Sequence, residues 1–361
     1  MFRIAPRALV AASAAIWAAL RRLAQRLSPP QVSLIQRATG IEITAALGAV
    51  VALGIPDLLA HEPRTAGELA LRTGVHPEAL ARTMRALVAM DVFERGRDGR
   101  FRNNRLSQPL RRGVSGSVAD FIAYFASPAN LSAWTDFPAT VASGGNAFER
   151  VHGATIWEYL GAHPAEGAVF AGAMADLTRL DAPAIARAGE FGRFPRVCDV
   201  AGGRGTLLAR ILELHPDITG VLFDEAHVLS GAADFLEGRG LSSRVVLSSG
   251  SFFEGVPPGC DAYVLKDVLH DWDDRRASRI LSMCRAAMAP GSTLMIVEIL
   301  VEEDSRELPG PLVDLQMMTV CSEGRQRSRA QMRALLEGSR FALRRVTRTA
   351  APPSIVEAAA V

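Results

Sequence analysis

From Pro195 onward, short β-rich runs alternate with helical stretches, and this alternation constrains the fold more than any other feature of the chain. The runs are Arg196 to Val200, Gly220 to Asp224, Val245 to Ser249, Ala262 to Lys266 and Leu294 to Ile299. Helical stretches fall between them near residues 206–214, 227–238 and 274–288. Strands that alternate with helices predict a parallel sheet covered on both faces. The fold class expected is therefore α/β, with a Rossmann-like domain. Two further runs, Phe341 to Val346 and Ser354 to Ala358, are expected to close the chain as a hairpin. In open sheets of this kind ligands bind outside the carboxyl ends of the strands, so those ends hold the informative residues.

The first such end reads Asp199-Val200-Ala201-Gly202-Gly203-Arg204-Gly205 and runs into a helix. Glycine tolerates positive φ and lets a ligand approach the backbone closely. The second strand ends in Asp224, about 20 residues on, where an acid can hold a ribose diol. Strand, glycine turn, helix, strand and terminal acid in series point to a nucleoside ligand. NAD and S-adenosylmethionine (SAM) both suit that arrangement. The competing reading is a tight βα turn beside a surface aspartate.

Ahead of the sheet the pattern is different. From Leu34 to about Arg112 it is helical and ends in a hairpin. Thr65 is placed to cap a short helix through Leu71, with Glu68 at the capping-box spacing. Gly74 turns the chain, and Pro77 opens a helix whose apolar face is Leu80, Met84, Leu87 and Val88. Val92 to Arg95 and Phe101-Arg102 then flank Asp98-Gly99, a tight-turn pair. Helix, turn, helix and β-wing spell a winged helix. One reading is DNA binding, with Arg82, Arg85, Arg97 and Arg100 meeting phosphates. The other is a subunit-contact module with a solvated arginine face. The net charge of +2 does not steer the whole chain to nucleic acid.

Residues 1–41 hold no acid, and Arg3 and Arg7 precede an apolar run from Leu9 to Leu20. That run falls short of the about 20 residues a bilayer span needs. Arg21, Arg22 and Arg26 follow it, where a secretory signal would show small residues. A helix packed on this protein or a partner subunit is expected, without stable membrane insertion; a basic helix lying on a membrane surface is the other reading. Cys198, Cys260, Cys284 and Cys321 form no C-x-x-C pair, which suits a reducing, cytoplasmic setting and neither a disulfide framework nor a zinc site. Residues from about 115 to 190 are helical and studded with Phe121, Tyr124, Phe125, Trp134, Phe148, Trp157, Tyr159 and Phe170, as core or as the lining of an apolar pocket. The expected divisions are 1–115, an N-terminal helix plus winged helix; 116–190, a helical linker; and 191–361, the Rossmann-like domain. With 361 residues, 49% of them apolar, each division has material for a core.

Several stretches discriminate between the nucleoside ligands. They are the glycine turn at 199–205, Gly250-Ser251-Phe252-Phe253, Lys266-Asp267-Val268-Leu269-His270-Asp271-Trp272, Glu298, Asp314-Leu315, and Gly324 to Ser328. Together they resemble the family of bacterial and plant small-molecule O-methyltransferases, which includes caffeate, acetylserotonin and aromatic-polyketide enzymes. The resemblance covers nearly the whole chain from about Leu34, and the lysine–His-Asp-Trp block is its most specific part. It implies a SAM-dependent enzyme with a class I methyltransferase domain and a small, hydroxyl-bearing, aromatic acceptor. It also implies a winged helix used for homodimerisation, with no nucleic-acid partner. A polyketide, a phenolic, a phenazine or a carotenoid alcohol all fit such an acceptor. By position, the resemblance implies backbone contacts at Gly202, ribose contacts at Asp224 and an adenine site along Gly250, Ser251, Phe252 and Phe253. A polar contact from Lys266 completes the cofactor set. Acceptor contacts are implied at Phe125, Phe148, Phe170, Met174, Met317 and Cys321, each of which also suits plain core packing.

Residues outside the pattern matter too. The family usually has Asp where this chain has Ser251, so one oxygen and no charge face adenine, which would weaken cofactor binding. Lys266 is the one lysine in a chain whose other cationic side chains are arginine. A compact ammonium is not interchangeable with a planar guanidinium.

Methyl transfer from a sulfonium is an in-line displacement, and the acceptor oxygen must lose its proton. A phenol with a pKa of about 10 is little ionised at neutral pH. A histidine within reach can take that proton. His270 lies just past the fourth strand, and the resemblance implies that it is the base. Glu298 matches the acid that orients it, fixing the tautomer and stabilising the imidazolium. Gln326 stands where the family often has a second Glu; it can hydrogen-bond but holds no charge. His270, Asp271, Asp273 and Asp274 invite a metal reading, but Asp273 and Asp274 precede a helix, whose amides and dipole account for them, and no metal is expected. Two other functions stay open at this point: a DNA-binding regulator with a non-catalytic ligand domain, and a relative of the same fold that hydroxylates or decarboxylates.

Overall fold

Nine strands organise the described residues of this computed structural model, which are 27–304 and 308–361 with Ile16, Ala19, Leu20 and Leu23. They are β1 (Phe93–Arg95), β2 (Phe101–Asn103), β3 (Arg196–Val200), β4 (Thr219–Asp224), β5 (Val245–Ser249), β6 (Ala262–Lys266), β7 (Thr293–Glu298), β8 (Phe341–Arg348) and β9 (Ser354–Ala360). The chain divides into two compact units. One holds residues 132–162 and 178–361; the other holds described residues 27–131 and 163–177.

In the first unit β3 to β9 form a seven-stranded sheet in the order β5-β4-β3-β6-β7-β9-β8. The five strands β3 to β7 run parallel, and β9 pairs antiparallel with both β7 and β8. Alternate residues of the central strands enter opposite layers. Val197, Val264, Met295 and Val297 join Leu207, Leu208 and Ile211 of the helix Thr206–Leu214 and Ile185 of the helix Pro164–Ala188. Cys198, Val200, Tyr263, Leu265 and Ile296 join Ile280, Leu281 and Cys284 of the helix Asp274–Ala287 and Met332 and Leu336 of the helix Arg329–Gly338. Both faces are dry, which is why these strands read as nearly continuous apolar runs. The expected α/β architecture with its terminal hairpin is what the chain forms. One expected helix, near 227–238, is two, Ala226–Leu229 and Ala232–Glu237, separated at Ser230-Gly231. Glycine and serine are both poor helix formers.

Strand order reverses between β3 and β6, and a crevice opens at the carboxyl ends of the two strands at such a reversal. The glycine turn leaves β3 there, and the segment from Lys266 to His270 leaves β6.

The second unit carries the helix, helix and wing. Thr65 caps the helix Ala66–Thr73 in a full capping box, donating its backbone N–H to Glu68 Oε2 at 2.7 Å. The apolar face of the helix Pro77–Ala89 packs with β1 and β2 through Leu80, Met84, Leu87, Phe93 and Phe101. The wing loop spans five residues rather than a two-residue turn, closing with Gly96 N–H donating to Arg100 O at 2.9 Å and Gly99 at φ +77°. Arg100 is engaged, donating to Glu68 at 2.8 Å and to Pro63 O at 3.2 Å. Arg82, Arg85 and Arg97 are exposed. The expected N-terminal helix from Leu9 to Leu20 lies almost wholly outside the described residues. Pro30–Ala52 is long and apolar enough to cross a membrane by composition, but it forms two helices, Pro30–Ala38 and Gly40–Ala52. Leu34, Ile35 and Ile41 on this stretch are exposed.

Candidate active site

The turn after β3 is shaped by close approach. A Cβ on Gly202 would sit 2.5 Å from Leu222 Cδ1 and 2.7 Å from Asp199 Cγ, so no larger residue fits without movement. Ala201 and Gly203 take φ of +56° and +60°. The turn is tied to the end of β4, because Gly203 N–H donates to Asp224 Oδ2 at 2.8 Å and Glu225 N–H donates to Oδ1 at 2.7 Å. Each oxygen keeps acceptor capacity for a ribose hydroxyl.

Below the turn, Asp199 is buried and its Oδ2 lacks a hydrogen-bond partner. Burial pushes its carboxyl up to about 7, with Lys266 opposing. The Lys266 side chain, 8% exposed, pairs with Asp267. Burial works against its charge, but Asp267, Asp181 and Asp199 outweigh it and hold the ammonium protonated. Three carboxylates on one ammonium, with an unpartnered carboxylate oxygen among them, suit a cationic ligand. A sulfonium carrying an α-ammonium fits this charge; the pyrophosphate of NAD would be repelled. The single lysine thus offsets part of its neighbours' charge.

Phe252 and Phe253 meet edge to face at 4.8 Å, and Trp272 closes on Phe253 at 4.9 Å and on Phe252 at 6.1 Å. Trp157 stacks on Trp272 at 5.8 Å. Gly250 is confined, since a Cβ would meet the Phe223 ring at 2.9 Å. Ser251 Oγ accepts from Phe253 N–H at 3.3 Å and so supports the turn that presents these rings. Trp272 stood in the recognised block without a role; its place in this aromatic wall comes from the fold.

His270 sits past β6 in the short helix Leu269–Asp271, buried. Glu298, the last residue of β7, reaches it, but not as expected. Its Oε1 accepts from the His270 backbone N–H at 3.0 Å rather than from the ring, so it positions the loop and leaves the imidazole to other residues. The ring nitrogen Nδ1 lies 2.6 Å from Gln326 Nε2, and Nε2 lies 3.5 Å from Asp271 Oδ1. Burial lowers the imidazole's basicity, yet Asp271, Glu298 and Asp267 more than compensate, and its pKa is raised. Burial pushes the Asp271 carboxyl up to about 6, and Cys321 Sγ donates to it at 3.5 Å.

A clamp from residues 324–327 holds this loop. Gly324 touches its backbone so closely that a Cβ would lie 2.8 Å from His270 O. Arg325 N–H donates to the same oxygen at 2.8 Å. Arg327, with no exposed surface, donates to Leu269 O at 2.7 Å, Trp272 O at 2.8 Å and Asp274 Oδ1 at 3.0 Å. Asp273 caps the following helix, accepting from Arg276 N–H at 2.6 Å, as its position predicted. Asp271, Asp314 and Arg327 were missed as site residues by sequence reasoning. Their signal was present in the family stretches, but their partners were not.

The acceptor candidates fall in both units. In the sheet-bearing unit Phe148 is buried against His152 at 4.3 Å, and Met317 and Cys321 lie on and just after the helix Gly310–Val320. In the other unit Phe125 packs on Phe121 at 4.4 Å and Phe170 on Tyr124 at 5.2 Å, with Met174 half-buried.

Comparison with known proteins matches this geometry to a family. The O-methyltransferase domain model matches residues 134–342, and the O-methyltransferase dimerisation domain model matches residues 35–112. A phenazine O-methyltransferase from Lysobacter antibioticus is 36% identical over 325 residues, which is 90% of this chain and 95% of that protein. An 8-amino-8-demethylriboflavin N,N-dimethyltransferase from Streptomyces davaonensis is 37% identical over 326 residues, covering 89% of this chain and 91% of its own. The crystal structure of NcsB1, an O-methyltransferase from neocarzinostatin biosynthesis bound to SAM and 2-hydroxy-5-methyl naphthoic acid, superposes with a TM-score of 0.76 at 30% identity, covering 88% of this chain and 96% of that one.

Proposed function

The chain belongs to the SAM-dependent O-methyltransferase family, and from that premise we propose that it methylates a hydroxyl of a small aromatic metabolite with His270 as the general base. The observation that carries the reading is a buried imidazole, kept basic by three carboxylates, one strand away from the glycine turn. SAM would supply the methyl group from a sulfonium, with its sulfur leaving as a neutral thioether as the oxygen–carbon bond forms. His270 takes the hydroxyl proton as the oxygen attacks, and Asp271 stabilises the imidazolium that forms. Oxygen and sulfonium disperse charge on reacting, so the half-buried apolar wall of Phe252, Phe253, Trp272 and Trp157 favours the step. Gly202, Asp224 and the aromatic wall hold the cofactor, and Phe148, Met317 and Cys321 contact the acceptor.

The unit carrying residues 35–112 serves dimerisation rather than DNA binding in this reading. The exposed Leu34, Ile35 and Ile41 supply apolar surface for a second copy, and Arg100 is already spent on Glu68. Light scattering should return the mass of a dimer; a stable monomer would remove this part.

Transfer to an amine is the second reading, supported by the riboflavin-derivative relative. One experiment separates the two. The protein is incubated with methyl-labelled SAM and a panel of phenols, hydroxyphenazines and aryl amines, and products are read by mass spectrometry with fragmentation. Label on oxygen supports the proposal; label confined to nitrogen, or none on any acceptor, overturns it.

A further inference from the structure

The helix Pro164–Ala188 precedes β3 in the chain and brings an acid, Asp181, to the end of the sheet where the crevice opens. Ala182, Ile185 and Ala186 of this helix are buried in the layer that also takes Val197 of β3, Val264 of β6 and Val297 of β7. Side chains alternate along a strand, so Asp199 shares the face of Val197 and Lys266 shares the face of Val264. Both therefore stand in the layer of the helix, near the carboxyl ends of their strands. Asp181 lies four positions before Ile185, one turn away on the same helix face. It is half-buried, and Lys266 and Asp267 are the charged groups that act on it. Burial raises its carboxyl to about 6, so it is mostly ionised at neutral pH.

The cluster holds three acids and one base. Asp267 pairs with the Lys266 ammonium, which leaves two acids over. Asp199 is buried with its Oδ2 unpartnered, and among the described residues Asp181 forms no ion pair. Leftover buried charge is costly unless a counter-charge arrives. SAM brings two cationic centres, an α-ammonium and a sulfonium. In-line displacement sets sulfur, methyl carbon and acceptor oxygen on one line. With the cofactor anchored at the turn after β3 and the end of β4, and the oxygen at His270, that line passes over the end of β6, where Lys266, Asp267 and Asp181 gather. Asp199, beneath the glycine turn, is left for the α-ammonium. We propose that Asp181 is the carboxylate that answers the sulfonium charge, and that through it the site distinguishes SAM from its demethylated product. The inference rests on SAM occupying this crevice with its acceptor at His270. SAM and S-adenosylhomocysteine share adenine, ribose, ammonium and carboxylate; they differ by one methyl and one positive charge. On transfer the sulfur–carbon bond breaks, sulfur keeps the electron pair as a neutral thioether, and the oxygen's proton goes to His270. The cation facing Asp181 is then gone, so its attraction acts on the substrate form of the cofactor and favours release of the product form. Asp181 determines specificity without touching the reacting atoms.

The test is calorimetric titration of the full-length protein with SAM, with S-adenosylhomocysteine, and with a SAM analogue in which an amine-bearing carbon replaces the sulfonium. Asp181→Asn keeps the shape of the side chain and removes its charge. It is expected to weaken SAM about tenfold, the scale of one partly screened unit charge. The amine analogue should weaken by a similar factor, because it carries a cation at the same place. S-adenosylhomocysteine should change by about twofold or less, since a neutral thioether feels little of that field, and its retained binding reports a folded variant. Asp181→Glu keeps the charge and should keep the wild-type ratio of SAM to product affinity. Equal weakening of SAM and its product would assign Asp181 to the amino-acid end or to the fold and would overturn the proposal. Unchanged affinities in the Asn variant, or a Glu variant as weak toward SAM as the Asn variant, would overturn it too. None of these titrations contains an acceptor. If they come out as expected while no acceptor is ever methylated, the role of Asp181 stands and the reading of the reaction falls.

Discussion

Two loops leave the sheet from neighbouring strands, after β3 and after β6, and they are held in opposite ways. The glycine turn is built almost entirely from its own neighbourhood. Gly205 bonds back to Gly202, and the ties to the adjacent strand, Gly203 to Asp224 and Ala201 to Phe223, span 21 and 22 positions. The His270 loop has little support of its own. Its backbone hangs from Glu298, 28 positions away, and its ring and carbonyls from residues 325–327, up to 58 positions away. The first loop needs mostly small size and positive φ, which glycine provides by itself. The second needs a specific set of polar partners delivered by a distant segment. Cofactor holding and proton transfer should therefore fail separately.

The largest expected effect tests that separation at the base. His270→Gln keeps bulk and polarity but cannot take a proton. Turnover should fall by about 10²–10⁴, the usual contribution of a positioned base. SAM affinity, measured by calorimetric titration, should hardly change. The loss should shrink on acceptors of lower hydroxyl pKa, which are already partly ionised. Near-wild-type turnover on the least acidic acceptor would take His270 out of the chemistry.

The same contrast explains what could be read in advance. Sheet, glycine turn, terminal acid and helix caps follow from residues close together in sequence, through short apolar runs, φ preference and capping, and all were legible. The position of His270 at a strand end was legible for the same reason. Its partners were not. Nothing local says that Glu298 takes the backbone N–H and leaves the ring to Gln326, because that depends on how residues 324–327 pass under the loop. Lys266 illustrates the point from the other side. Its rarity drew attention to it, but sequence could not show that Asp267, Asp181 and Asp199 surround it. Gly324 likewise stood in a matching stretch without a role until its close approach to His270 O gave it one.

A pair of glycine substitutions sharpens the comparison at intermediate scale. Gly202→Ala would press a methyl against Leu222 and Asp199 beneath the cofactor turn, and Gly324→Ala would press one against the His270 and Asp271 carbonyls, 2.8 and 3.1 Å away. Overpacking of this kind costs about 1–3 kcal/mol, which is about 5- to 150-fold in an equilibrium or rate. Gly202→Ala should spend it on the SAM dissociation constant, leaving turnover at saturating SAM close to wild type. Gly324→Ala should spend it on turnover, with SAM affinity intact. Titration and saturation kinetics on both variants decide it. If the two changes move the same parameter by similar factors, the loops are one mechanical unit and the contrast drawn between them is wrong.

The smallest expected effect asks how far the clamp itself reaches. Ser328 follows Arg327 and caps the helix Arg329–Gly338, accepting from Gln331 N–H at 3.2 Å while Gln331 answers with its side chain at 2.8 Å. This capping box anchors the downstream end of the segment that grips His270, yet it touches neither the ring nor the glycine turn. Replacing a serine N-cap by alanine costs about 1 kcal/mol of helix stability. If the clamp transmits that slack, Ser328→Ala should lower turnover by about fivefold or less, because part of the cost appears as a less fixed Gln326. SAM affinity should stay at the wild-type value, since nothing in the turn after β3 depends on this helix end. Thr65, the N-cap of the other capping box, is the control. Thr65→Ala removes a comparable cap from the other unit and should lower thermal stability without lowering turnover. Equal losses of turnover from the two cap variants would mean that general loosening is being read, and that the support of His270 is no more specific than the stability of the chain.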